Sequence, residues 1–256
     1  MTLFSVSGLT MRFGGVTAVD NLSLSVEKGE IRGLIGPNGA GKTTIFNMIS
    51  GVYKPTHGQI HFGGEDIAGL PPYRIARKGL IRTFQAISVF KRLTVMDNVR
   101  IGSHLSAHGG FGATLLGRGE VRQTEKAIDR RAEEILELVG LTGHMNDEAS
   151  TLAHGHQRAL GIAVALAAKP KMLMLDEPCA GMNIGERVAM MALIKKIRDQ
   201  DVTLMLVEHD MKVIMAICDS ITVVSFGKLI AEGTPDEVRE NPVVHEAYLG
   251  RKTDAA

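Results

Sequence analysis

Residues 36–43, Gly36-Pro37-Asn38-Gly39-Ala40-Gly41-Lys42-Thr43, fit the spacing G-x-x-x-x-G-K-[ST]. Each position has a chemical reason. Glycines let successive backbone N–H groups turn inward around phosphate oxygens with no Cβ in the way. The segment that follows, opening with Lys42, Thr43 and Thr44, reads as a helix whose partially positive end points at the same place. Lys42 brings a cation to the outer phosphates, and the Thr43 hydroxyl is a hard oxygen ligand for Mg²⁺. A Gly-rich turn capping an ordinary helix has the same composition. Position favours nucleotide binding, because the segment follows the strand-like Glu30–Ile35 and precedes a helical run.

A second group of residues suits the same chemistry. Lys171-Met172-Leu173-Met174-Leu175-Asp176-Glu177 is a buried-strand pattern that ends in two carboxylates. Ligands of open parallel sheets lie beyond the carboxyl ends of the strands, so Asp176 is expected to face the phosphate loop. There it completes a metal site through water, since Mg²⁺ keeps much of its hydration. Glu177 is then left to orient and deprotonate an attacking water. Two acids after a strand are also what a solvated strand end looks like; the phosphate loop upstream favours the functional reading.

These residues need a scaffold. The N-terminal 35 residues alternate with period two, and Gln59–Phe62 and Ile81–Phe84 read as short strands. Lys42–Ser50 reads as a helix closed by Gly51. From Val95 to Ala168 the pattern turns helical, with Ile128, Ala132, Ile135, Leu136 and Val139 on one face. After Lys171, apolar strands (Met172–Leu175, Thr203–Val207, Ile221–Ser225) alternate with helices near Ile184–Gln200 and Met211–Ile217. That alternation predicts an α/β fold with a mixed, mainly parallel sheet, an antiparallel β region at the N-terminus and a helical subdomain. The expected division is 1–94 plus 169–234 for the α/β core, 95–168 for the helical part and 235–256 for a C-terminal helical tail. Ser103–Gly117 has no charged residue and four glycines; it reads as a loop joining two helices or as an insertion that touches a partner.

Composition narrows the classes. With 256 residues, 29 Lys+Arg against 28 Asp+Glu and a net charge of +1, no strong field draws nucleic acid or an anionic membrane. Three Tyr, eight Phe and no Trp offer little for a base-stacking platform. Cys179 and Cys218 lie in apolar runs without metal-ligand spacing, as reduced core residues do. The longest strongly apolar run, Ala159–Ala168, is too short to span a bilayer. A cytoplasmic protein is expected, and a membrane-embedded partner stays open.

On these motifs the chain resembles the ATP-binding subunits of ABC transporters over about residues 3–250. The resemblance implies ATP and Mg²⁺ as ligands, the former on Gly36 to Thr44, the latter on Thr43, Gln85 and Asp176. It implies that Phe13 stacks on adenine, that Gln85 senses the γ-phosphate and metal, that Glu177 is the catalytic base, and that His209 in Val207-Glu208-His209-Asp210 is the switch histidine. Ala180-Gly181-Met182-Asn183 occupies the D-loop place, where the usual Ser-Ala-Leu-Asp is altered. The signature, usually Leu-Ser-Gly-Gly-Gln, reads Leu152-Ala153-His154-Gly155-His156. Ala153, His154 and Gly155 would meet the nucleotide of an opposing subunit, but Ala153 lacks the serine hydroxyl. Losing one hydrogen bond to a charged group is worth about 1.5–3 kcal/mol, enough to slow turnover without abolishing it.

Within the family the likeness is greatest to subunits of branched-chain (hydrophobic) amino acid importers. It rests on Met11-Arg12-Phe13-Gly14-Gly15, Arg82-Thr83-Phe84-Gln85, the insertion after Asn98-Val99, the Ala-Gly-Met-Asn D-loop and the ending Ala247-Tyr248-Leu249-Gly250. Importers of amides, urea or aromatic acids share much of it, and a regulatory subunit with weak hydrolysis is a second reading of the altered signature. The implied partners are a second ATP-binding subunit, identical or not, two transmembrane permeases contacted near Gln85–Arg100, and indirectly a substrate-binding protein. Nucleic acid is not among them. The implied place is peripheral, on the cytoplasmic face of the inner or plasma membrane.

Overall fold

A computed structural model of the chain describes residues 1–83, 89–103 and 118–249. Gln85 and nearly all of Ser103–Gly117 therefore lie outside the described residues; Ser103 itself is buried at the end of a helix.

Two sheets form the frame. Strands β1 (Thr2–Phe13), β2 (Val16–Glu27), β4 (His57–Phe62) and β5 (Glu65–Asp66) make an antiparallel sheet in the order β2-β1-β4-β5. The second sheet runs β10-β9-β3-β8-β7-β6, from β3 (Ile31–Ile35), β6 (Leu80–Arg82), β7 (Met172–Asp176), β8 (Thr203–Val207), β9 (Ser220–Ser225) and β10 (Lys228–Gly233). It is parallel except for the edge strand β10. Thr203–Val207 is present end to end, the other expected strands have ends shifted by one or two residues, and β6 is described as far as Arg82.

Alternation within β7 and β8 explains how the layers meet. Met172, Met174, Met205 and Val207 face a core shared with the antiparallel sheet and with α1 (Lys42–Ile49). Leu173, Leu175, Leu204 and Leu206 face the other core. That second core is built on α3 (Val95–Ser103), α4 (Arg118–Leu138), α5 (His154–Ala167), α6 (Ile184–Arg198) and α7 (Met211–Ile217). Runs apolar on both faces are what a strand buried on both sides requires. In α1 the buried Ile45, Phe46, Met48 and Ile49 contribute on the order of 1.5–3 kcal/mol each. Of the expected stripe, Ala132, Ile135 and Leu136 are buried on α4, Ile128 is half-buried, and Val139 is buried just beyond the helix end. Three short helices, α2 (Pro72–Lys78), α8 (Pro235–Glu240) and α9 (Pro242–Leu249), and two single 3-10 turns, Thr142–His144 and Ala149–Thr151, complete the described elements. No helix among the described residues is long and apolar enough to cross a membrane.

Candidate functional site

Register brings the site together. Leu34 of β3 pairs with Val207 of β8, and Val207 pairs with Asp176 of β7. The three strands thus end level, and the segments leaving them meet at one edge: the phosphate loop, Glu208-His209 and Asp176-Glu177. Their sequence separation hides this proximity, which parallel strand order alone creates.

The loop between β3 and α1 is pinned from outside. A Cβ on Gly36 would stand 2.0 Å from the Val224 carbonyl oxygen, and one on Gly41, at φ +97°, 2.6 Å from that of Ala18. Any side chain at either position would displace β9 or β2. Ala40 N–H donates to Pro37 O at 3.1 Å, and Gly227 N–H donates to Ala40 O at 3.0 Å. The β9–β10 turn is thereby fastened to the loop. Helix α1 opens at Gly41 with no side-chain cap and no acid in its first turn. The early amides of a helix have no acceptor within it, so this end suits an anion. Lys42 folds back over the loop, its Nζ donating to Gly36 O at 2.6 Å and Pro37 O at 2.9 Å. Burial lowers the pKa of Lys42, and the nearby Glu177 charge opposes that.

Across from the loop, Asp176 is 9 % exposed and accepts from Arg82 Nη2 at 2.7 Å through Oδ2. Glu177 adopts φ +48°, a left-handed conformation costly for a non-glycine residue. Backbone bonds hold it there: its N–H donates to Val207 O at 2.9 Å, and its carbonyl accepts from Arg158 Nη1 of α5 at 2.8 Å. His209 Nδ1 lies 4.0 Å from Glu177 Oε2 and 3.8 Å from Glu208 Oε2. The expected acid and histidine are therefore neighbours. Thr43, Asp176 and Glu177 offer only oxygen donors, and few of them, a set that suits a cation keeping most of its own water, as Mg²⁺ does.

Three residues of this region escaped the sequence reading as working parts. Arg82 entered it only as a mark of likeness. Glu208, 1 % exposed, accepts from Cys179 N–H at 2.7 Å and His209 N–H at 3.3 Å; burial raises its pKa, opposed chiefly by the Cys179 amide. Burial also pushes the Cys179 thiol up to about 12, which leaves it an inert core residue. Arg158 ties the helix after the signature to Glu177. The one local signal was a charged residue abutting a wholly apolar strand, as Glu208 does after Thr203–Val207.

The remaining expected residues lie further out. Phe13 ends β1, is 44 % exposed, and meets Tyr53 edge-on with ring centroids 5.5 Å apart. Ala153 is the exposed N-cap of α5 and has no side-chain cap bond; His154 and Gly155 begin the helix. Asn183, at the end of the D-loop segment, caps α6 in a reciprocal arrangement with Glu186.

Comparison with known proteins agrees with this geometry. Residues 19–180 match the family described as ABC transporter, and residues 228–253 match branched-chain amino acid ATP-binding cassette transporters. The chain is 47% identical over 249 residues to the high-affinity branched-chain amino acid transport ATP-binding protein BraF of Pseudomonas aeruginosa, covering 97% of this chain and 98% of that one. The corresponding protein LivG of Escherichia coli is 46% identical over the same span, again at 97% and 98% coverage. The crystal structure of the ADP conformation of MJ1267, an ATP-binding cassette of an ABC transporter, superposes with a TM-score of 0.85 at 29% identity, covering 98% and 99% of the two chains. The chain belongs to the ABC transporter family.

Membership carries ATP binding and hydrolysis. In this ABC ATPase the first matched segment runs from β2 through the phosphate loop to Asp176 and Glu177, two of the three segments that meet at the edge described above. The second spans β10, α8 and α9.

Proposed function

We propose that this ABC ATPase powers import of branched-chain amino acids from the cytoplasmic face of a membrane. What carries the reading is likeness along almost the entire length to BraF and LivG, including the C-terminal segment 228–253. Two ATP-binding subunits close head to tail on a pair of permeases, which a substrate-binding protein loads. Helices of residues 95–168 form the arm that presents the signature, and residues 235–256 form the tail.

Within each site, the amides of residues 39–44 and Lys42 bind the ATP phosphates, while Phe13 offers its open ring face to adenine. Thr43 and Asp176, together with Gln85, hold Mg²⁺, which when bound neutralises charge on the outer phosphates. Glu177, fixed by its two backbone bonds, takes the proton of the attacking water, and His209 steadies the transferred phosphate. The opposing Ala153–Gly155 end of α5 covers that phosphate with backbone amides, with the His154 and His156 side chains as further donors in place of the missing serine hydroxyl. Closure stabilised by ATP and release after hydrolysis then alternate.

The test is reconstitution with the cognate permeases in vesicles. Glu177→Gln is expected to lower hydrolysis by roughly 10²–10⁴-fold, the usual scale for losing a general base, and to leave ATP binding intact. Uptake of radiolabelled leucine should fall in step. Leucine uptake that survives loss of hydrolysis would reject the coupling of this ATPase to import, and stimulation of the ATPase only by amides or urea would reject the assigned cargo.

A further inference from the structure

Arg82 is a buried cation for which packing alone gives no reason. Its side chain is 5 % exposed and that of Asp176 10 %. Replacing a buried ion pair by apolar residues of similar size is often neutral or stabilising, so such a pair is poor evidence of a need for stability. What distinguishes this one is where the guanidinium reaches. Nη2 donates to Asp176 Oδ2 at 2.7 Å. Nη1 donates to Asn47 Oδ1 at 2.7 Å on α1 and to Ser50 Oγ at 3.1 Å at its C-cap. The guanidinium carbon also stands over the Phe46 ring, 5.4 Å from its centroid. One planar fork therefore joins β6, β7 and α1, a task its fixed donor geometry suits better than a flexible ammonium would.

Thr43, Asn47 and Ser50 are spaced i, i+4, i+7, which puts them on one stripe of α1 and its C-cap. The stripe leads from the hydroxyl assigned to the metal down to the two acceptors that hold Arg82. We propose that Arg82 is a positioning residue for Asp176. By occupying Oδ2 it fixes which carboxylate oxygen is left to a hydrated cation. By binding Asn47 and Ser50 it makes that oxygen and the Thr43 hydroxyl move as one piece. The inference rests on the metal assignment made above.

The experiment uses the full chain with ADP, and Mn²⁺ as a spectroscopic stand-in for Mg²⁺, measuring Mn²⁺ affinity by electron paramagnetic resonance. Nucleotide affinity in EDTA is measured alongside. Asp176→Asn is the control for the parent reading: if it leaves Mn²⁺ affinity unchanged, the metal assignment fails and the proposal with it. Given a loss there, Arg82→Met is expected to weaken Mn²⁺ binding about 10–100-fold, the usual cost of losing a partner behind a metal ligand. Metal-free nucleotide affinity should stay within about twofold of the parent, since the loop and Lys42 are untouched. Arg82→Lys keeps the charge and loses the fork, and should recover only part of the loss. Should Arg82→Met fail to fold, Asn47→Ala leaves the ion pair in place and should shift Mn²⁺ affinity in the same direction by less. Unchanged Mn²⁺ affinity in the folded variants would overturn the proposal. Tighter Mn²⁺ binding would overturn it too, because charge repulsion and not orientation would then be the effect of Arg82.

Discussion

Among the described α-helices with a defined N-cap, two begin with neither a side-chain cap nor a proline in the first turn, for different reasons. Helices α6, α7 and α8 each begin with a side chain, Asn183, Asp210 or Thr234, accepting from an early amide. Helix α2 opens on Pro72 instead, which has no N–H to satisfy. Helices α1 and α5 do neither, beginning at Gly41 and Ala153 with their first amides unserved by a cap. Around α1 the same chain supplies everything else a phosphate needs: Lys42 over the loop, Asp176 and Glu177 opposite, His209 beside them. Around the start of α5 the chain sets His154 next to Gly181, Gly155 beside the Glu186 carboxylate, and the His156 ring 5.1 Å from that of His144. On the function proposed above, the first end is a site and the second is part of one whose remainder belongs to an opposing subunit.

The largest break in this comparison comes from Lys42→Ala. Removing a cation that makes charge-assisted bonds to phosphate should weaken ATP binding to the single chain about hundredfold by calorimetry. Unchanged affinity would mean that the α1 end is not the nucleotide site. Ala153→Ser probes the other end and should have an effect of different kind. Affinity of the single chain for ATP should not change, while turnover of the assembled pair should rise by up to about tenfold, as one restored hydrogen bond to a charged group allows. A serine there also caps α5, which should stabilise the fold by about 0.5–2 kcal/mol in denaturant titration. Tighter ATP binding by the isolated variant would erase the distinction between a whole site and half of one.

The α1 end was legible in the sequence because its parts are contiguous: strand, glycine spacing, lysine and helix follow one another within residues 31–49. Asp176-Glu177 and His209 were legible as strand-end residues, since four-residue apolar runs, Met172–Leu175 and Leu204–Val207, mark β7 and β8. What joins them was not legible. Arg82 meets Asp176 because β6 lies beside β7, and Glu208 reaches the Cys179 amide because β8 does. Neighbour order in a parallel sheet is set by crossovers, which leave no periodicity in the chain. Arg158 is a similar case, since its partner is a carbonyl, and no side-chain pattern records a carbonyl's direction. The positive φ of Glu177 has no residue signature either; glycine would have advertised it, but a glycine could not act as a base.

Glu208 offers the smallest and most specific test, because it plays for two loops at the α1 edge the role that α5 leaves to another molecule. Its carboxylate accepts the amides of Cys179 and His209, and it faces the His209 ring, the Glu177 carboxylate and the Cys179 thiol. Burial makes its charged form costly, so its pKa is raised in the folded chain. A raised carboxyl pKa means that the folded state holds a proton the unfolded chain has released. The stability this group contributes is therefore fully present below its unfolded pKa of about 4.3 and is lost as pH rises through the folded value. Glu208→Gln removes that titration, so the stability of the parent relative to the variant should decline as the medium is taken from pH 4 to pH 7, read from denaturant midpoints at each pH. A difference that grows with pH would reverse the sign and show that the two amide donors outweigh burial. In that case the α1 edge would be held by anion capture within the chain itself, and its likeness to the signature end would be closer than the caps alone suggest.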